Sequence, residues 1–144
     1  MKVIDGLIYD TVGFTCSCFD LLHAGHIIML QYAKARCDKL IVGLQTDPTI
    51  DRSDTKNKPI QSLEERLIQL EAVKYIDEIF TYDTEKDLYK NLLDIKPDVR
   101  ILGSDYIGKS FTGDDLDIKI YYHDRNHNYS TTNLRKKIVS EHIH

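Results

Sequence analysis

No stretch of this sequence approaches the roughly 18 consecutive apolar residues of a membrane-spanning helix. The opening Met-Lys-Val-Ile-Asp carries no apolar core of signal-peptide length. A cytoplasmic protein with no membrane partner is therefore expected. Cysteine is scarce: Cys16, Cys18 and Cys37 are the only three. An odd set cannot pair completely, which favours a reduced chain over a disulfide scaffold. Cys16-Ser-Cys18 has neither zinc-knuckle spacing nor a second Cys/His pair at a suitable distance, so no metal is assigned directly to side chains. An excess of positive charge is also missing. Lys and Arg number 19 against 23 Asp and Glu, a net charge of −4, which argues against a nucleic-acid partner.

What remains is the balance of a globular enzyme. At 144 residues and 42% hydrophobic, the chain has the size of one domain, residues 1–144, able to bury a core without staples. Residues 8–16 read as a strand, rich in β-branched and aromatic side chains. Residues 25–37 have helical periodicity. "KLIVGLQT" (39–46) is a near-continuous apolar run, as in a strand buried on both faces of a parallel sheet. "DPTIDRSDTKNKPIQ" (47–61) holds two prolines and no period, hence a long loop of the kind often functional. Ser62-x-x-Glu65 is a capping box opening the helix "SLEERLIQLEAVK". "DEIFTY", "VRIL" and "IKIYYH" read as strands, and "EKDLYKNLLDI" and "STTNLRKKIV" as helices. This alternation predicts a doubly wound α/β fold on a parallel five-stranded sheet, with a ligand beyond the carboxyl ends of the strands.

Two segments compete as the phosphate site. "GSDYIGKS" (103–110) satisfies G-x-x-x-x-G-K-[ST]. A P-loop must open a helix, however, and "FTGDDLD" follows, with a glycine and three aspartates that disfavour a helix and repel phosphate. "CFDLLHAGH" (18–26) fits better. A helix starting near Gly25 aims its free N–H groups at the end of the first strand. Gly25 allows close approach, and His23 and His26 can donate to phosphate oxygens. The helix behind them is expected to be held by Ile27, Ile28, Leu30 and Ala33 rather than by the imidazoles.

"CFDLLHAGH" resembles the H-x-G-H signature of the nucleotidyltransferase superfamily, whose cytidylyltransferases carry a similar G-T-F-D-x-x-H-x-G-H. Further segments are similar in order along nearly the whole chain. "LIVGLQTD" resembles the second strand and "SLEERLIQLEAVKYIDEI" the E-x-R helix and V-D-E turn. "ILGSDYIGK" resembles G-D-D-W-x-G-K, and "RNHNYSTTNLRKKI" resembles R-T-E-G-I-S-T-T with its basic helix. The nearest likeness is to the glycerol-3-phosphate cytidylyltransferases; heptose-type sugar-phosphate adenylyltransferases share much of the pattern. Ser17 stands in place of the usual Gly, Cys18 in place of a frequent Thr, Lys74 in place of an Arg, and His127-Asn128 in place of Glu-Gly.

The resemblance implies a Rossmann-like nucleotidyltransferase joining CTP to a phosphorylated alcohol such as glycerol 3-phosphate, with release of pyrophosphate, in making a cell-surface polymer. The alternatives are an ATP-using sugar-phosphate adenylyltransferase and a non-catalytic nucleotide-binding module. It implies catalytic roles for His23, His26 and Arg66. It implies nucleotide or phosphate contacts from Cys16, Ser17, Cys18, Phe19, Gly25, Lys58, Asp105, Arg125, Tyr129, Ser130 and Thr131. Acceptor contacts fall to Asp20, Lys56, Lys74 and Lys109. Mg²⁺ or another divalent cation is expected with the triphosphate, and a homodimer as the assembly.

Overall fold

The computed structural model describes residues 2–124 and 130–143. The chain opens with an antiparallel hairpin, β1 (Lys2–Ile4) and β2 (Leu7–Tyr9). Asp5 and Gly6 form its two-residue turn at φ 52° and 78°, the left-handed pair that an Asp-Gly hairpin turn requires. Then follow β3 (Val12–Ser17), α1 (Ala24–Lys34), β4 (Lys39–Gln45), the short α2 (Thr49–Arg52), α3 (Leu63–Glu71), β5 (Glu78–Tyr82) and α4 (Glu85–Ile95). After these come β6 (Val99–Gly103), a 3₁₀ turn over Ser104–Tyr106, β7 (Lys119–His123) and α5 (Thr131–Ile143). The five later strands form one parallel sheet in the order β5-β4-β3-β6-β7.

The expected strand over residues 8–16 is thus two elements. Tyr9 still pairs with Lys2, whereas at Thr11 and Val12 the main-chain N–H groups turn to the Asp38 and Asp98 carboxylates. Apolar pattern runs through both elements and carries no sign of that change of partner. The helix expected over residues 25–37 ends at Lys34, and a four-residue helix interrupts the long loop.

Burial on both faces explains the unbroken apolar run of β4, all of whose residues are buried. Leu40, Val42 and Leu44 pack with Leu30 and Ala33 of α1 and Leu70 of α3. Ile41 faces the other way, with Val12, Phe14 and Tyr82, under Leu88 and Leu92 of α4. The chain therefore crosses from one face to the other between β3 and β6, and a crevice opens at the carboxyl ends there.

Asp20, 5% exposed, ties the β3–α1 turn to two other segments. Its carboxylate accepts the N–H groups of Ile60 (2.9 Å) and Gln61 (3.0 Å) and pairs with Arg135 of α5 at 2.7 Å. Burial pushes this carboxyl up, but the Gln61 and Ile60 N–H groups and the Arg135 guanidinium outweigh it and hold it below the ordinary 3.8. A depressed carboxyl contributes its stability above the unfolded value and loses it as pH falls through the folded one. Asp20→Asn is accordingly expected to melt lower at pH 7 but to lose less on acidification below about pH 4, the range in which a normal carboxyl protonates. Melting curves of both proteins from pH 7 to pH 3 check this; parallel pH profiles would remove Asp20 from the acid response.

Candidate active site

The β3–α1 connection is a strained turn. Phe19 and Leu21, both non-glycine, sit at φ 50° and 51° on either side of the anchored Asp20. Gln61 Oε1 accepts the Leu21 N–H at 2.8 Å, and Ser17 Oγ faces the Phe19 N–H at 3.5 Å. The turn delivers His23 as the N-cap of α1 in extended geometry, φ −140° and ψ 178°.

The two histidines cap the helix themselves. His23 Nδ1 accepts the Gly25 N–H at 3.0 Å, and His26 Nδ1 accepts the His23 N–H at 3.1 Å, a capping box built from imidazoles. Their rings lie 3.9 Å apart, and buried Phe19 supports His26 at 5.5 Å. A nitrogen that accepts an N–H carries no proton of its own, so each neutral ring is held as its Nε2–H tautomer. The expectation that imidazoles leave the helix structurally indifferent is corrected here. Of the four apolar residues expected to hold α1, Leu30 and Ala33 are buried while Ile28 is 37% exposed.

The crevice encloses about 820 Å³ and extends over both faces of the sheet. On the α1 face it is lined by Thr15, Ser17, Cys18, His23, Gly25, His26 and Met29, with Asp105, Tyr106, His123, Ser130 and Thr132 beyond β6 and β7. On the α4 face it reaches Cys16, Gln45, Tyr82, Glu85, Arg100 and Thr112, and Arg52 and Lys56 of the long loop border it. Ser130 Oγ accepts the Asn133 N–H at 3.0 Å and so caps α5 while lining the crevice.

Of the residues proposed from sequence, Cys16, Ser17, Cys18, His23, Gly25, His26, Lys56, Asp105 and Ser130 come together here. Others are placed elsewhere. Phe19 is 1% exposed and belongs to the core beneath the turn. Asp20 is spent on the contacts given above. Lys58 points outward beside Asp47 at 3.8 Å. Lys74, against the Tyr75 ring at 5.3 Å, precedes β5 and so lies at the amino end of that strand, away from the crevice. Lys109 is exposed and outside the lining, although its neighbour Ser110 is part of it. Arg125 and Tyr129, with His127 and Asn128, lie outside the described residues, as does the Thr131 side chain. The P-loop pattern forms a 3₁₀ turn with Gly108 at φ 77° and opens no helix.

Arg66 is 2% exposed and outside the crevice lining. Its Nε donates to the carbonyls of Gln61 and Ser62, Nη1 to those of Cys18 (3.0 Å) and Gln45 (2.7 Å), and Nη2 to that of Thr46 (2.6 Å). The guanidinium thereby joins the ends of β3 and β4 to the start of α3.

The thiols in the crevice favour their protonated form. Burial pushes both Cys16 and Cys18 up, and the guanidinium groups of Arg100 and Arg66 beside them only partly offset it. Among the described residues no three His, Cys, Asp or Glu side chains converge as a metal site.

Residues 14–137 match the model of a family described as cytidylyltransferase-like. The chain belongs to that family. The bifunctional protein HldE of Caulobacter vibrioides is 36% identical over 90% of this chain, and that of Wolinella succinogenes 44% identical over 72%. The chain spans only 27% and 22% of those two proteins. A lipopolysaccharide core biosynthesis protein from Thermoplasma volcanium superposes with a TM-score of 0.64 at 29% identity, covering 83% of this chain and 98% of that one. A pantoate-beta-alanine ligase from Francisella tularensis reaches 0.64 at 24% identity, a likeness of fold.

Sequence reasoning did not find the polar groups of the α4 face in this cytidylyltransferase-like chain. Gln45, Arg52, Glu85 and Arg100 all line the crevice. A signal was present: Arg100 and Gln45 are the polar members of strands otherwise apolar, "VRILG" and "KLIVGLQ" beyond its opening lysine.

Proposed function

We propose that this chain transfers a nucleotidyl group from ATP to a sugar phosphate and releases pyrophosphate. The observation carrying this reading is the pair of histidines that cap the N-terminus of α1 and both line the crevice. The HldE relatives and the lipopolysaccharide-core structural relative favour a sugar phosphate and ATP over glycerol 3-phosphate and CTP. The family's cytidylyltransferase-like character keeps CTP as the second reading.

An oxygen of the acceptor phosphate forms the new bond to the α-phosphorus, and the bond from that phosphorus to the pyrophosphate oxygen breaks in line. The nucleophile is already an anion, so no strong base is needed; positioning and charge stabilisation do the work. The Nε2–H groups of His23 and His26 are the donors for negative charge growing on the phosphate oxygens, supported by the helix N-terminus. Ser130 and the start of α5 hold the nucleotide side. A divalent cation would be carried largely by the phosphates themselves, as Mg²⁺ prefers, and would neutralise their charge.

The test is a matrix of ATP and CTP against heptose and hexose phosphates and glycerol 3-phosphate, followed by pyrophosphate release. The greatest kcat/KM is expected for ATP with a sugar phosphate. Turnover confined to CTP with glycerol 3-phosphate would select the second reading, and no release from any pair would leave a nucleotide-binding module. A homodimer is proposed on family likeness, and light scattering giving a mass of 16.7 kDa would reject it.

A further inference from the structure

Arg100 is 3% exposed and forms no ion pair among the described residues. Its Nη1 donates to the Thr112 carbonyl, its Nη2 faces Cys16 Sγ at 3.8 Å, and its Nε has no partner there. The rings of Phe14 and Phe111 flank it at 5.5 and 5.1 Å. Of the acidic side chains lining the crevice, Glu85 is committed to Arg52 at 3.2 Å and to the Thr112 hydroxyl at 3.0 Å, and Asp114 Oδ2 accepts the Phe111 N–H at 3.2 Å. A buried guanidinium without a counter-ion is costly, since buried charges are normally paired. Here it borders a cavity rather than a packed core.

A second donor faces the same lobe. Gln45 is 2% exposed, lines the crevice, and its Nε2 has no partner among the described residues. It stands two residues after Gly43, where a Cβ would meet Cys16, Phe80 and Tyr82 at 3.1 Å, so it shares their face of the sheet. Gly113 closes over Arg100: a Cβ there would stand 3.2 Å from Nη1 and 2.7 Å from Leu92. The lobe therefore offers a fixed cation and an amide donor, both asking for a group that only accepts.

That group is not the reacting phosphate. Arg100 leaves β6 in register with Phe14 and its guanidinium reaches Cys16, which projects from the α4 face of the sheet. It also lies across the sheet from the histidines.

We propose that Arg100, with Gln45 nearer the mouth on the same face of the sheet, lines an acceptor subsite for a second oxyanion, a carboxylate or a phosphoryl group, at the end of the acceptor remote from its reacting phosphate. The assignment rests on the nucleotidyl-transfer reading, which supplies the reacting phosphate. It makes the preferred acceptor a doubly anionic sugar phosphate.

The test uses three hexoses that differ at one carbon: glucose 1-phosphate, glucuronic acid 1-phosphate and glucose 1,6-bisphosphate. Each is titrated calorimetrically into the protein with α,β-methylene-ATP present. One or both charged sugars are expected to bind at least tenfold tighter than glucose 1-phosphate, and the two arms tell carboxylate from phosphoryl. Arg100→Leu should erase the difference, Gln45→Leu should reduce it severalfold, and Arg100→Lys should retain part of it. Gln45→Leu and Arg100→Lys keep the test decisive should Arg100→Leu fail to fold. Equal or unmeasurable affinities in the unmodified protein, or a preference that survives loss of both side chains, would overturn the subsite. A pyrophosphate-release assay with ATP and the same sugars separates the two ideas. Selective binding without release removes the reaction and leaves the subsite, whereas release with the neutral sugar preferred removes the subsite and leaves the reaction.

Discussion

His26→Ala is expected to lower kcat by about 10²–10³ while changing ground-state triphosphate binding far less. That is the usual cost of removing one donor aimed at charge that develops in the transition state. The same substitution also removes the acceptor of the His23 N–H, and loss of a helix cap typically costs about 1 kcal/mol. Activity and stability should therefore both fall, and a single alanine cannot separate them. His26→Gln does. Glutamine at the third helical position restores a capping-box acceptor but lacks the imidazole Nε2–H. It should regain the melting temperature and keep most of the kcat defect. His23→Asn plays the matching part at the N-cap, where asparagine is among the best residues. The double variant should be less damaged than the product of the single losses, since both rings serve one phosphate. Recovery of turnover in His26→Gln together with recovered stability would show the pair to be structural.

The capping box explains why this motif was legible from its residue types but not in its internal geometry. Two imidazoles beside a glycine at a strand-to-helix junction already point to an anion at the helix start. That each ring also accepts a main-chain N–H, which fixes its tautomer, depends on the extended His23 backbone and on a turn with two left-handed residues. The helix α4, with its regular apolar spacing and Thr84 cap, keeps the bounds read from sequence. The β2–β3 break does not, because its cause is two carboxylates, Asp38 and Asp98, that are 27 and 86 residues away from the N–H groups they take. Cationic residues were the least legible. A lysine or arginine near a motif is displayed to a ligand, displayed to solvent or spent on main-chain carbonyls. Arg66, held by carbonyls up to 48 residues away, shows that long-range partners decide among these, while Arg100 was hidden because a strand reads as apolar even with one charge in it.

Arg66→Leu should give the largest loss of stability of any variant discussed. The side chain is buried and serves five carbonyls from three segments: Cys18 after β3, Gln45 and Thr46 at the end of β4, and Gln61 and Ser62 at the start of α3. Leucine replaces its volume but none of its donors, and several buried carbonyls lose their partners. Each such group left unsatisfied costs about 1–3 kcal/mol, so a total of roughly 3–5 kcal/mol is expected, the sum being less than additive. At about 2–4 °C per kcal/mol for a chain near this size, the melting temperature should fall by roughly 6–20 °C. Arg66→Lys should recover little, because one ammonium cannot span carbonyls that a planar fork reaches from both edges. The resemblance to nucleotidyltransferases instead puts this residue on a phosphate, and the two roles part cleanly. A positioning role moves stability first and leaves the KM for triphosphate near normal in whatever folded protein remains at low temperature. A direct phosphate contact raises that KM or lowers kcat with the melting temperature unchanged. Unchanged melting in Arg66→Leu would mean that the guanidinium leaves its carbonyls for the substrate, and the joint between β3, β4 and α3 would have to be held by other contacts.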